Sequence, residues 1–125
     1  MTKKTVLIVD DEIHIINVLS LKLRNANFEV MTAGNGEEAL ERIGESMQDL
    51  VITDFSMPMM TGLELVQCLR SDAKTEQIPV IMLTGRGQTV EEKDGKVPRI
   101  DVLMSKPFSP REILHQVETL LGVQC

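Results

Sequence analysis

The sequence predicts an α/β domain in which a parallel sheet is covered by helices on both faces. Short aliphatic runs alternate regularly with amphipathic stretches, the pattern of repeated strand–helix units. The aliphatic runs are continuous rather than alternating, as strands buried on both faces require. With 125 residues, 42% hydrophobic and 26% charged, the chain suits one globular domain over residues 1–125 with its own core. Only 2% of residues are aromatic, so that core must be built from Leu, Ile, Val and Met.

In order along the chain, Thr5 to Val9 reads as a first strand. Glu12 to Ala26 reads as a helix with Ile13, Ile16, Leu19 and Leu23 on its inner face. Phe28 to Thr32 is a second strand, and Gly36 to Gly44 a helix turning Ala39, Leu40 and Ile43 inward. Leu50 to Thr53 is a third strand. Gly62 to Ser71 is a helix for which Thr61 is a suitable N-cap. Val80 to Leu83 and Ile100 to Met104 are the fourth and fifth strands. Ser109 opens the last helix with Pro110 at its first position, and Gly122 closes it. Five such units suggest a flavodoxin-like doubly wound sheet of order 2-1-3-4-5. Between the last two strands the topology requires a fourth helix. The stretch from Gly87 to Pro98 offers only Val90 and Val97 as aliphatic anchors, so that helix is expected to be short or irregular.

A formal net charge of -6 opposes direct nucleic-acid binding and docking on an anionic membrane. Cys68 and Cys125 lack metal-ligand spacing, and a reduced compartment is the simpler setting for them. Cys68 is expected to be at least half-buried in its helix. The apolar run Val6 to Val9 is too short for a signal-peptide core or a membrane span, so a cytoplasmic location is expected.

Ligands of an open parallel sheet bind beyond the carboxyl ends of its strands. Asp10 and Asp11 follow the first strand, Asp54 the third, Thr84 the fourth, and Lys106 with Pro107 the fifth. Crowded carboxylates repel unless a proton or cation intervenes. Mg²⁺ takes one or two carboxylates and accepts phosphate oxygens. A carboxylate can also attack phosphorus, while a metal and a lysine neutralise the transferring group and a threonine hydroxyl hydrogen-bonds it. Singly, each residue has an ordinary use: Asp11 as a helix N-cap, Asp54 as a turn residue, Lys106 as a solvated charge. Their joint placement at four strand ends favours chemistry. His14 and His115 read as helix-surface residues, and the eight methionines as core filler, with Met57, Met59 and Met60 beside Asp54.

Four segments resemble the receiver domains of response regulators, over essentially the whole chain. They are Val6-Leu7-Ile8-Val9-Asp10-Asp11-Glu12, Asp49 to Pro58 with Gly62 following, Val80-Ile81-Met82-Leu83-Thr84, and Ser105-Lys106-Pro107-Phe108. The resemblance implies a phospho-acceptor domain of a two-component system. Asp54 matches the phosphorylation site. Asp11 matches the direct ligand of Mg²⁺ (Mn²⁺ substituting), Asp10 an acid acting through metal-bound water, and Ser56 a ligand through its backbone carbonyl. Thr84 and Lys106 match the hydroxyl and the cation that meet the phosphoryl group, and the bond before Pro107 is expected to be cis. The implied donor is a histidine kinase or a histidine phosphotransfer protein, and output is expected to reach a further, unidentified partner. The face carrying the fourth helix serves docking or homodimerisation in such domains. The resemblance makes the domain a switch that catalyses only its own phosphorylation and dephosphorylation, not an enzyme acting on other substrates. Arg86 falls where side chains of the family face the mouth of the site. Leu103 stands where the family often has Tyr or Phe, so the familiar aromatic swing is not expected.

Two other classes fit less well. Haloacid-dehalogenase-like phosphatases carry an Asp-x-Asp pair after one strand, whereas Asp10 and Asp11 are adjacent. A flavin carrier of this fold would want a Ser/Thr/Gly-rich loop after the first strand and Trp or Tyr to stack on the ring, and the sequence has no Trp and no Tyr.

Overall fold

A computed structural model describes residues 3–85 and 98–122. Its elements are β1 (Thr5–Val9), α1 (Ile13–Asn25), β2 (Glu29–Ala33), α2 (Gly36–Glu45), β3 (Leu50–Asp54), α3 (Gly62–Arg70), β4 (Val80–Thr84), β5 (Val102–Ser105) and α4 (Pro110–Leu121). All strand pairs are parallel and the order is β2-β1-β3-β4-β5, as the sequence predicts. Of the stretch expected to form the irregular helix, Gly87 to Val97 with the anchors Val90 and Val97 lie outside the described residues, as does Arg86; only its last residue, Pro98, is described. The label α4 therefore belongs to the final helix.

Successive side chains of a strand point to opposite faces, so a continuous aliphatic strand feeds two cores. Val6, Ile8, Leu50, Ile52, Ile81 and Leu83 pack with Ile16, Leu19 and Leu23 of α1 and with Ile113 and Val117 of α4. Leu7, Val9, Val51, Val80 and Met82 pack on the other face with Ala39 of α2 and with Leu65, Val66 and Leu69 of α3. The central strands β3 and β4 are buried at every position. The edge strand β5 departs from the continuous-burial expectation. Val102 and Met104 reach the first core, while Leu103 on the opposite face is exposed.

Helix starts follow the capping residues. Asn35 Oδ1 accepts from Glu38 N at 2.8 Å, and Thr61 and Glu64 form a reciprocal capping box. Ser109 caps α4 with Pro110 in its first turn, and Gly122 ends it at φ 66°, a conformation glycine adopts without penalty. A cap contributes ~1 kcal/mol, whereas each fully buried aliphatic side chain contributes roughly 1.5–3 kcal/mol. Burial of Leu65, Val66 and Leu69 therefore holds α3 in place, and the cap fixes where it begins.

Two helix-face expectations fail. Ile13 is 68% exposed, because the residues of that face which reach the core begin one turn later at Ile16. Cys68 is exposed, because Leu65, Val66 and Leu69 define an inner stripe of α3 that leaves it outside.

At the amino ends of β4 and β5 a guanidinium gathers the chain. Arg70 donates to the carbonyls of Glu76 (2.8 Å), Ile78 (2.7 Å) and Arg99 (3.0 and 3.1 Å). It also pairs with Asp101 at 3.3 Å, and Asp101 accepts from Val80 N at 2.8 Å.

At the opposite end, Gly62 joins β3 to α3. Its N–H donates to Phe55 O at 2.9 Å, and a Cβ there would collide with the Asp54 carbonyl. We expect Gly62→Ala to lower unfolding free energy by about 1–3 kcal/mol through overpacking. Gly44→Ala, in an open part of α2, should instead raise it by roughly 0.5–1 kcal/mol. Urea denaturation of both variants checks the pair. A Gly62→Ala protein as stable as the parent would contradict the close approach.

Candidate functional site

The carboxyl ends of four neighbouring strands build the site. Asp10 leaves β1 with its N–H on Ala33 O of β2 (3.1 Å) and its Oδ1 accepting from Glu12 N (2.9 Å). Asp54 is the last residue of β3, only 4% exposed, and the next N–H, of Phe55, donates to Leu83 O of β4 (2.8 Å). Lys106 follows β5 and is tied to β4 by its own N–H on Thr84 O (2.7 Å). The Lys106–Pro107 bond is cis, as the resemblance implies. Asp10, Asp11 and Asp54 each present a carboxylate oxygen within 4.8 Å of the other two. Asp11 is exposed and does not cap α1, whose N-cap is Glu12.

The Lys106 ammonium lies among these charges. Its Nζ is 3.2 Å from Asp54 Oδ1, 3.4 Å from Asp10 Oδ2 and 3.3 Å from Glu12 Oε1. Burial raises the pKa of Asp54; the Asp10 charge adds to the rise and Lys106 opposes it. Asp10 is likewise raised by burial, against its hydrogen bond from Glu12 N and the Lys106 charge. For Lys106 burial acts downward, but Asp10 and Asp54 together override it and raise the pKa. Two carboxyls that resist ionisation beside a third are a set that favours a bound cation, and hard oxygen donors suit Mg²⁺ or Mn²⁺.

The structure brings together Asp10, Asp11, Asp54 and Lys106 as expected. Thr84 is buried at the end of β4, its hydroxyl donating to Met104 O at 3.4 Å. Ser56 is exposed on the loop after β3. In that loop Met57 is buried, Met60 lies against Gly36, and Met59 is 77% exposed at φ 68°. His14 and His115 are exposed. Residue-by-residue reasoning missed Glu12 as a Lys106 partner. The acidic run Asp10-Asp11-Glu12 is visible in sequence, but nothing in it points to a lysine 94 positions away.

A family model described as the response regulator receiver domain matches residues 6–118. This chain belongs to the response-regulator receiver domain family. Over 121 residues this receiver is 36% identical to the phosphate regulon transcriptional regulatory protein PhoB of Pseudomonas aeruginosa, covering 97% of the chain and 53% of that protein. The alkaline phosphatase synthesis transcriptional regulatory protein PhoP of Bacillus subtilis is 35% identical over 118 residues, with 94% and 48% covered. The chain thus spans about half the length of these relatives. Among solved structures, the chemotaxis response regulator CheY4 of Vibrio cholerae has a TM-score of 0.85 at 36% identity, with 96% of this chain and 100% of that one covered. The receiver domain of Francisella response regulator 1452 has a TM-score of 0.83 at 28% identity, with 96% and 98% covered. Among the described residues no helix is long and apolar enough to cross a membrane.

The raised carboxyls fix the sign of a pH effect on the metal-free receiver. A carboxyl whose folded pKa exceeds its unfolded value binds its proton more tightly when folded. Asp10 and Asp54 therefore detract from stability above their folded pKa values, and the deficit disappears as pH falls toward the unfolded values. In chelator-treated protein at neutral pH, Asp54→Asn should raise the melting temperature and Lys106→Ala lower it. The gain from Asp54→Asn should shrink as the pH falls through that window. Calorimetric melts across the pH range check both signs, and an Asp54→Asn protein less stable than the parent at neutral pH would refute the first.

Proposed function

We propose that this receiver accepts a phosphoryl group on Asp54 from a phosphohistidine of a histidine kinase or a histidine phosphotransfer protein, and signals by the change in shape that follows. One observation carries the proposal: a buried strand-end carboxylate lies 3.2 Å from a lysine ammonium and within a cluster of three carboxylates. Asp10, Asp11 and Asp54, with the backbone carbonyl of Ser56, would hold Mg²⁺ or Mn²⁺. A bound divalent ion supplies charge neutralisation at the transferring group.

The residues of the chain account for the rest. An Asp54 carboxylate oxygen forms the new P–O bond as the P–N bond to the donor imidazole breaks, leaving an acyl phosphate. The Lys106 ammonium, already on Asp54 Oδ1, donates to an oxygen of the arriving group. Thr84 exchanges its long contact to the Met104 carbonyl for a charge-assisted bond to the phosphoryl group. That exchange releases a tie between β4 and β5 at the strand ends. With Leu103 in place of an aromatic, the message leaves through the β5 backbone and the exposed Leu103 face toward an output partner or a second copy. The domain catalyses its own modification and the hydrolysis that reverses it, and turns over no external substrate. A cytoplasmic setting supplies the reducing conditions that suit the exposed thiol of Cys68.

Acetyl phosphate with Mg²⁺ should add one phosphoryl group by intact-mass measurement, and chelation or Asp54→Asn should abolish the addition. Full modification of the Asp54→Asn protein would sink the assignment. By calorimetric titration, Asp11→Ala should lose most of its Mg²⁺ affinity, whereas Lys106→Ala should keep or gain it because a competing cation is gone. Equal affinity in the parent and Asp11→Ala would remove Asp11 from the ligand set.

A further inference from the structure

An ammonium has three N–H donors, and Lys106 meets three carboxylates: Asp54 Oδ1 at 3.2 Å, Glu12 Oε1 at 3.3 Å and Asp10 Oδ2 at 3.4 Å. None is as short as a charge-assisted N–H···O bond normally becomes, about 2.7–2.9 Å. The amine is therefore held by the balance of three charges rather than by any single partner. Asp10 and Asp54 lie on the buried side, with side chains 0% and 6% exposed, whereas that of Glu12 is 47% exposed and lies at the rim. Glu12 is also absent from the cluster of three carboxylates that suits a metal.

The root of the Glu12 side chain is fixed independently of this contact. Its N–H donates to Asp10 Oδ1 at 2.9 Å, and its carbonyl accepts from Ile15 N and Ile16 N at 3.1 and 3.3 Å as α1 begins. Although Glu12 is the N-cap of α1, its side chain makes no capping bond, so it is free for another task. Its second oxygen, Oε2, lies 3.5 Å from His14 Nε2, leaving Oε1 turned to Lys106. A cleft of about 430 Å³ along Ile15, Val18, Pro107 and Phe108 opens beside the pair.

We propose that Glu12 is a positioning residue for phosphoryl transfer: it draws the Lys106 ammonium outward from Asp10 to the place where the arriving phosphoryl oxygens need it. This rests on Asp54 being the acceptor. When Asp54 becomes an acyl phosphate its charge moves outward onto the phosphoryl group. An ammonium balanced only by Asp10 and Asp54 would sit too deep to meet it. Glu12 supplies the outward pull, and a neutral acceptor of the same length supplies it in part through its carbonyl oxygen.

Two measurements on the full chain test this. In the metal-free protein, the proton–nitrogen correlation of the Lys106 ammonium, identified by its loss in Lys106→Arg, should be visible in the parent and in Glu12→Gln but broadened away in Glu12→Ala. With acetyl phosphate and Mg²⁺, Glu12→Ala should modify Asp54 about fivefold to tenfold more slowly, and Glu12→Gln within about twofold of the parent. Mg²⁺ affinity should be unchanged in Glu12→Gln and fall no more than about threefold in Glu12→Ala, where the ammonium settles on Asp10 and Asp54 as a competing cation, against the near-complete loss expected of Asp11→Ala. An unaltered ammonium signal in Glu12→Ala overturns the proposal, as does an unaltered or faster rate. A loss of Mg²⁺ affinity in Glu12→Ala as large as that in Asp11→Ala also overturns it, by making Glu12 a ligand. If the parent itself is not phosphorylated, the acceptor assignment fails, and the ammonium signal still decides whether Glu12 holds Lys106.

Discussion

A cluster of carboxyl groups at one rim of the sheet is held together by a single lysine that arrives from the far end of the chain. Asp10 and Lys106 are separated by 96 positions in sequence yet lie 3.4 Å apart. Like charges at this spacing oppose folding, and burial deepens the cost. What keeps them together is the apolar sheet beneath. Leu7, Ile8, Leu50, Ile52, Ile81 and Leu83 are at most 1% exposed, and such burial exceeds what one crowded carboxylate withdraws. The core thus has energy to hold the rim in an arrangement that charges alone would not choose. The proposed cation and phosphoryl group would thus act on a site already tense.

Hydrogen bonds between neighbouring strand ends convert that support into geometry. Phe55 N on Leu83 O locks β3 to β4, and Lys106 N on Thr84 O locks the lysine turn to the same strand. Gly62 admits the Asp54 carbonyl against the start of α3. Lys106 can therefore reach Asp54 without a long search, and an error in any of these backbone contacts would move the ammonium relative to its carboxylates.

The fold was largely legible in the sequence because continuous aliphatic strands such as Val80 to Leu83 have one stable use, a sheet buried on both faces. Strand order rested on analogy and is now fixed by pairing. The acid and lysine positions were legible because each falls within two residues of the end of an aliphatic run. Less was visible where local pattern does not determine neighbours. Ile13 has the spacing of a core residue but sits before the helix reaches the sheet. Cys68 is small and apolar, and only the position of the Leu65–Leu69 stripe shows that it faces out. At β5, edge position decides that Leu103 is exposed although Val102 and Met104 are not. Glu12 was hidden for a different reason: its partner lies 94 residues away, and no periodicity connects them.

The Arg70 clasp gives the sheet a mechanical asymmetry. Four backbone contacts and the Asp101 pair hold the amino ends of β4 and β5 to the loop after α3, whereas at their carboxyl ends the Thr84 hydroxyl reaches Met104 only at 3.4 Å. The backbone is tied at both ends, since Lys106 N donates to Thr84 O at 2.7 Å, so the slack at the carboxyl end belongs to the Thr84 side chain alone. The Thr84 hydroxyl can thus change partner without breaking the backbone ladder, beside the lysine turn and far from the Arg70 clasp.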